Sequence, residues 1–201
     1  MIAQTKTQKY YSPEEYLELE VNAEERHEYL NGEIILRLGV TPNHNLICGN
    51  FNTALNVALK GQSYFVFATD LRLWIPEKRS YTYPDIMVVR GDLELQKGRK
   101  DAITNPVAIA EVLSTSTQAF DRGEKFKMYR TIPSFQEYLL IDQYSMHVEQ
   151  YYKSEPNKWI FSEYDAPESI LKLNAVPCEL SLAELYDKVN FEEEVIDRDE
   201  N

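Results

Sequence analysis

Two short runs of apolar residues place the strongest constraint on the fold of this chain. Ile86–Val89 and Val107–Leu113 lack the alternation of apolar and polar positions that a half-exposed strand shows. Nearly continuous apolar runs of this length are typical of central strands that are covered on both faces of a sheet. We therefore expect the two segments to form adjacent, interior strands.

Local patterns predict the remaining elements. Ser12 followed by Pro13 and Glu15 predicts a helix start, and Asn31-Gly32 predicts a hairpin. The predicted helices lie at 12–20, at 43–60, from Thr115 or Ser116 to about Thr131, and at 181–186. The other predicted strands lie at 64–68, 71–75, 136–141, 146–152 and 158–164. The sequence thus predicts one α+β domain over 1–190, a mixed β-sheet flanked by helices, followed by a disordered acidic tail over 191–201.

Charge and cysteine content exclude several classes of protein. The 201 residues carry a net charge of −12, which argues against indiscriminate binding to nucleic acid or to anionic membranes. The segment Lys97–Arg130 has the opposite charge balance, with seven basic residues and four acidic ones. Two cysteines without a Cys/His cluster predict neither a disulfide framework nor a zinc site, and they favour a reducing cytoplasm. No apolar run approaches 18 residues and no secretory signal begins the chain, so we expect no membrane association.

Two acidic residues stand out against these strands. Glu111 lies inside the second apolar run, and a buried carboxylate is costly unless a cation or a metal accompanies it. The alternative, an outward-facing Glu on an edge strand, fits less well because both flanks are apolar. Asp85 precedes the first run, and taken alone it is better explained as a turn residue at a strand end.

A lysine on the next helix is a candidate partner for Glu111. Asp121, Lys125 and Tyr129 are spaced at i, i+4 and i+8, so they share one helix face. A surface ion pair between Asp121 and Lys125 is a competing explanation. Because the helix begins a few residues after the strand, however, it must fold back beside that strand and can bring Lys125 near Glu111.

Two carboxylates at neighbouring strand ends with one lysine suit metal-dependent hydrolysis of phosphodiester bonds. Mg²⁺ prefers hard oxygen ligands and keeps several waters, and it both acidifies a bound water and neutralises phosphate charge. A lysine can position that water or stabilise the oxyanion. No phosphate-binding glycine loop, GxSxG or HExxH motif competes with this interpretation.

At these residues the chain resembles the Uma-type restriction endonucleases of the PD-(D/E)XK nuclease superfamily. The resemblance covers roughly residues 10–190. It rests on an ordered set of segments: Arg26–Glu33, Pro42-Asn43-His44, Pro84-Asp85, Glu111–Thr117, Asp121-x-x-x-Lys125-x-x-x-Tyr129 and Glu137–Asp142.

The resemblance implies a restriction-endonuclease-like fold and cleavage of DNA with Mg²⁺ or Mn²⁺. Its implied site residues are the metal ligands Asp85, Glu111 and the Val112 carbonyl, the catalytic Lys125, and the site-lining Glu28, His44, Asp70 and Asp121. The superfamily's usual lysine lies two residues after the Glu, where this chain has Leu113, so Lys125 from the helix is the expected replacement and Lys127 the fallback. Asp70 has a second explanation, because it can simply form a turn.

Two other functions remain open at this level. One is a binding or regulatory protein on the same scaffold without turnover. The other is a β-rich ligand-binding module, suggested by 14 Tyr and 2 Trp, which leaves Glu111 unexplained. Since small nucleases that cut both strands commonly pair, we expect a homodimer.

Overall fold

The structure, a computed structural model, describes residues 9–37 and 39–191. Its α-helices are α1 (Pro13–Val21), α2 (Pro42–Ala58), α3 (Gln118–Phe120), α4 (Phe126–Tyr129) and α5 (Leu182–Leu185). Its strands are β1 (His27–Leu30), β2 (Glu33–Leu36), β3 (Tyr64–Ala68), β4 (Arg72–Ile75), β5 (Ser80–Thr82), β6 (Ile86–Arg90), β7 (Ala102–Ile103), β8 (Ala108–Leu113), β9 (Glu137–Asp142), β10 (Val148–Glu155), β11 (Lys158–Tyr164), β12 (Ile170–Lys172) and β13 (Glu179–Ser181).

A six-stranded mixed sheet forms the centre of the fold, in the order β11-β10-β9-β8-β6-β3. β6 and β8 are antiparallel neighbours in its interior, as the two apolar runs predicted. β8 and β9 are parallel, and the connection between them carries α3 and α4. The other neighbouring pairs of this sheet are antiparallel.

The prediction of one sheet was wrong. β2, β1, β5, β4 and β7 form a second, five-stranded sheet, and β12 pairs with β13 alone. β3 and β4 were both predicted as strands, but they belong to different sheets. Between them Thr69 and Asp70 both have a φ of 49°, which turns the chain away from the central sheet. An apolar pattern predicts a strand but carries no information about its neighbour.

The two faces of the central sheet bury separate apolar clusters. On one face Ile47, Phe51 and Leu55 of α2 pack against aliphatic side chains of β6 and β8. On the other face Tyr129 of α4, with Phe135, packs against alternate residues of the same strands, including Met87 and Ile109. Both strands are therefore covered on both faces, which explains why their sequences lack alternation.

The second long helix differs from its prediction. The predicted helix to about Thr131 is interrupted by a π-helical turn, Asp121–Lys125, which separates α3 from α4. Neither Thr115 nor Ser116 caps it; Thr117 occupies the N-cap position and makes no side-chain capping hydrogen bond. Such wide turns inside helices occur frequently at functional sites.

The C-terminal end of the described part begins where the tail was predicted. Phe191, predicted as the first residue of the tail, packs its ring 5.6 Å from that of Tyr186. The rest of the predicted tail, 192–201, lies outside the described residues.

Among the helices that the structure describes, none combines the length and apolar character needed to cross a bilayer.

Candidate active site

Asp85 lies directly before β6 and is only 5% exposed. Its carboxylate has three partners: the Nη2 of Arg37 at 3.0 Å, the Nε2 of His44 at 3.1 Å and the backbone N–H of Val112, which donates at 2.9 Å. Burial works to raise the pKa of Asp85, but the His44 contact and the charge of Lys125 outweigh it, so the pKa is lowered. Asp85 is thus held as a carboxylate at the strand end.

Glu111 lies opposite Asp85 on the neighbouring strand. Ile86 pairs with Ala110, so the next position of the register brings Asp85 beside Glu111, and opposite residues of an antiparallel pair share a face. Glu111 is 2% exposed, and its Oε1 accepts a 2.7 Å hydrogen bond from the Tyr129 hydroxyl. Burial raises its pKa to about 8; the charge of Lys125 opposes this rise, while Asp85 and Asp121 add to it.

Lys125 reaches this carboxylate from the π-helical turn. Its Nζ lies 3.0 Å from Glu111 Oε1, 3.3 Å from Asp121 Oδ1 and 3.7 Å from Glu28 Oε1. Burial works to lower the pKa of Lys125, but the three carboxylates, with Glu111 first, hold it well above its usual range. The lysine is therefore a buried, charged group among three acids.

Asp121 contributes a second unusual carboxylate. The residue is 2% exposed, and its Oδ1 has no hydrogen-bond donor among the described residues apart from the ion-pair contact with Lys125. Buried carboxylate oxygens usually accept hydrogen bonds as well, because an ion pair alone compensates their desolvation only partly. An oxygen of this kind is suited to accept a ligand that enters the cleft.

Two further predicted residues line the same cleft. The Oε1 of Glu28, on β1, accepts a 3.1 Å hydrogen bond from the backbone N–H of Tyr83. His44 lies in the first turn of α2, where Thr41 caps the helix, and its Nδ1 is 3.6 Å from the Sγ of Cys48. His44 thus contacts Asp85 with one ring nitrogen and Cys48 with the other.

Asp70 is not at this site. It is exposed in the turn between β3 and β4 and is not among the residues that line the cleft. Its positive φ, which Asp tolerates better than most residues, supports the alternative explanation of a turn residue. Lys127, the fallback for Lys125, is likewise directed outward and pairs with Glu124 at 2.6 Å.

Sequence reasoning missed two contributors to the site. Arg37, which follows β2, pairs with Asp85, and the buried Gln143 donates a 2.7 Å hydrogen bond to the Leu113 carbonyl. Gln143 also contacts the Thr41 hydroxyl, which joins the β9 end to the start of α2. Neither residue belongs to a local pattern that could have singled it out. Tyr129 was placed on the correct helix face, but its contact with Glu111 was not predicted.

These side chains surround a cleft of about 530 Å³. The described residues that line it include four acids, Glu28, Asp85, Glu111 and Asp121. They also include one arginine, Arg37, and one lysine, Lys125. The excess of carboxylate oxygens, the raised pKa of Glu111 and the orphaned Asp121 oxygen are features that a divalent cation would relieve. The donor set therefore fits Mg²⁺ or Mn²⁺. His44, Cys48 and Asp85 also lie within 4.8 Å of one another, but they offer a softer, mixed set of donors.

Comparisons with known proteins identify the family and the fold. Two uncharacterized proteins of Synechocystis are similar: sll1609 is 44% identical over 78% of this chain and 89% of its own length, and slr1290 is 34% identical over 90% and 93%. A crystal structure from Anabaena variabilis, described as "a putative nuclease belonging to DUF820", matches with a TM-score of 0.72 and 20% identity over 88% of this chain and 97% of its own. It has the same fold. Residues 13–184 match the family model Uma2, described as "Putative restriction endonuclease". The chain belongs to the Uma2 family, with the restriction-endonuclease-like fold that its sequence predicted.

Proposed function

We propose that this protein is a metal-dependent endonuclease that hydrolyses phosphodiester bonds of DNA. The observation that carries the proposal is the contact between Lys125 and Glu111 in a cleft that Asp85 also lines. A buried lysine among carboxylates at the ends of two central strands is what phosphate hydrolysis needs, because it places positive charge where the reacting phosphate gains negative charge.

Each residue has a distinct role in this proposal. Asp85, Glu111 and the Val112 carbonyl would hold Mg²⁺ or Mn²⁺. When bound, the metal supplies a more acidic water and neutralises phosphate charge. Lys125 donates a hydrogen bond to the attacking water or to a phosphate oxygen, and Asp121 and Glu28 keep it charged. Arg37 and His44 fix the orientation of Asp85.

The test is cleavage of supercoiled plasmid DNA and of a single-stranded oligonucleotide in Mg²⁺ or Mn²⁺, with EDTA as the metal-free reference. We expect cleavage that EDTA abolishes and that Glu111→Gln reduces to background. Glu124→Gln is the matched control, since that side chain is 65% exposed and pairs with Lys127 outside the cleft. Cleavage that persists in EDTA, or equal cleavage by the two variants, would contradict the assignment.

A second candidate, a non-catalytic DNA-binding protein on this scaffold, is favoured by one observation. Both oxygens of Asp85 already have partners, and Arg37 balances its charge without any metal. Such a protein would bind DNA equally well in EDTA and would leave every substrate uncut.

We also propose a homodimer, the state in which small nucleases commonly act. Light scattering after size-exclusion chromatography measures the mass directly. A monomeric mass at micromolar concentration would rule the dimer out.

A further inference from the structure

The proposed metal-binding and catalytic side chains lie at the bottom of the cleft, which we call its floor, and not on the protein surface. Asp85, Glu111, Asp121 and Lys125 are exposed by only 5%, 2%, 2% and 6%. The cleft above them, about 530 Å³, falls within the range of small-molecule pockets, about 300–1,000 Å³. A stiff duplex has its phosphates on the outside of a wide cylinder, so it cannot lower one of them to this floor without being distorted.

Part of the rim of the cleft is apolar. Ile35, Leu36 and Val40 line it and are 43%, 44% and 52% exposed, and Phe120 of α3 and Tyr144 of the β9–β10 turn add aromatic rings. The hydroxyl side chains of residues 114–117 also line the cleft. The apolar and aromatic side chains offer flat or aliphatic surfaces at the height where a bound strand would enter. Such surfaces suit unstacked bases, which pack on aromatic and apolar side chains regardless of sequence.

The charges of the cleft do not suit a duplex. Among the described residues that line the cleft, Arg37 and Lys125 are the only Arg and Lys side chains. Both are paired with carboxylates at the bottom of the cleft. A paired duplex is held mainly by Lys or Arg side chains that contact phosphates on both strands, whereas a single strand can also be held through its exposed bases. The apolar part of the rim therefore offers contacts to bases, while the described lining residues include no row of unpaired Lys or Arg side chains for the phosphates of a duplex.

From these three observations we infer that the cleft takes an unpaired DNA strand, with its bases against the rim formed by Ile35, Leu36 and Val40 and one phosphate lowered to the floor. This inference rests on the proposed function and names its substrate class. A single strand has the flexibility to bend one phosphate inward. Tails, gaps and bubbles in duplex DNA present the same feature, so they belong to the same class.

Binding and cleavage are measured with one sequence in three forms: a single strand, a blunt duplex, and a duplex with a single-stranded tail. Fluorescence anisotropy is read in Ca²⁺, which takes oxygen ligands as Mg²⁺ does, and cleavage is read in Mg²⁺ or Mn²⁺. We expect the single strand and the tailed duplex to bind and to be cut at least about tenfold better than the blunt duplex, with cuts confined to the unpaired part.

Val40→Glu tests the rim, and Val57→Glu is its matched control because it adds the same charge at an exposed valine, 71% exposed, on α2 away from the cleft. Val40→Glu is expected to weaken single-strand binding about tenfold, and Val57→Glu to leave it unchanged. Equal losses in the two variants would overturn the rim assignment.

The outcomes separate this inference from the proposed function. A blunt duplex bound and cut as well as the single strand would overturn the inference and leave the proposed function standing. Preferential single-strand binding without any cleavage would support the inference and overturn the proposed function. Neither preference nor cleavage would overturn both.

Discussion

The Nζ of Lys125 lies 3.0 Å from the Oε1 of Glu111, although one residue belongs to a π-helical turn and the other to a central strand. The Tyr129 hydroxyl donates to the same oxygen at 2.7 Å. One carboxylate oxygen thus receives a charged and a neutral donor from the same helical segment. This contact fixes how the segment lies against the sheet and gives the first prediction.

Replacing Lys125 with Met should reduce nicking by about 10²–10³-fold, the usual loss when one donor to a developing charge is removed. Met keeps most of the side-chain volume, and the raised pKa of Glu111 lets this carboxyl stay protonated without its cation, so the fold should remain. Lys127→Met is the matched control, because that side chain is 59% exposed and lies outside the cleft. Single-turnover cleavage and thermal unfolding of both variants are the measurements. Loss of activity in Lys127→Met alone would move the role to Lys127.

Replacing Asp85 with Asn should remove the stabilisation of the protein by divalent metal. Asn keeps the shape and can still accept from the Val112 N–H, but it lacks the charge that a metal requires. For the unmodified protein, metal at 100 times its dissociation constant should raise the free energy of unfolding by about 2.7 kcal/mol. Denaturant unfolding with and without Mn²⁺ measures the difference. Asp70→Asn, in the exposed turn, should retain the full effect; a loss there as well would point to a metal bound elsewhere.

The stability of the metal-free protein should depend on pH through Glu111. In the unfolded chain this carboxyl has a pKa near 4.5, whereas burial raises its pKa to about 8 in the folded protein. The unfolded chain therefore loses the proton first as pH rises, and the free energy of unfolding falls between about pH 4.5 and about pH 8. The lowered pKa of Asp85 acts in a separate window, below its ordinary value of 3.8.

Glu111→Gln should flatten this fall when both proteins are unfolded in EDTA. The raised pKa of Glu137 adds a slope of the same sign to both proteins, so the difference between them is the quantity that isolates Glu111. Parallel curves for the variant and the unmodified protein would mean that Glu111 is ionised throughout this range.

Glu137 should be a major structural carboxylate without a role in the cleft. It is fully buried, and it accepts hydrogen bonds from the backbone N–H groups of Asn174 and Ala175 and from the Gln150 side chain. Glu137→Ala leaves these donors unsatisfied, which should cost about 3 kcal/mol or more. Glu155→Ala, at an exposed Glu on β10, should change the free energy of unfolding by less than about 0.5 kcal/mol. Urea unfolding measures both; similar values would contradict the assignment.

The parts of the fold that the sequence predicted are those encoded locally. The apolar runs that became β6 and β8 predicted two interior strands, and the spacing of Lys125 and Tyr129 predicted the helix face that meets Glu111. Partners that are distant along the chain were not predictable. Arg37 reaches Asp85 only because β2 belongs to the second sheet, and the partner of a strand is decided by the whole chain.

The π-helical turn shows the same limit on a smaller scale. Nothing in Asp121–Lys125 departs from ordinary helix composition apart from Gly123, so the sequence favoured a regular helix. Tyr138 of β9 packs against this turn, and its hydroxyl donates a 3.2 Å hydrogen bond to the Asp121 carbonyl. That contact belongs to the tertiary structure.

The connection between the parallel strands β8 and β9 also has a consequence for how this protein can diversify. Loops between such strands are usually the part of a fold that tolerates insertion and replacement. Here the connection is anchored in its middle by Lys125 and Tyr129 on Glu111, so a change in its length would displace the lysine from the carboxylate. Ile35, Leu36 and Val40 border the cleft outside this connection, so their replacement would leave the contact between Lys125 and Glu111 in place. Engineering of altered specificity should begin there.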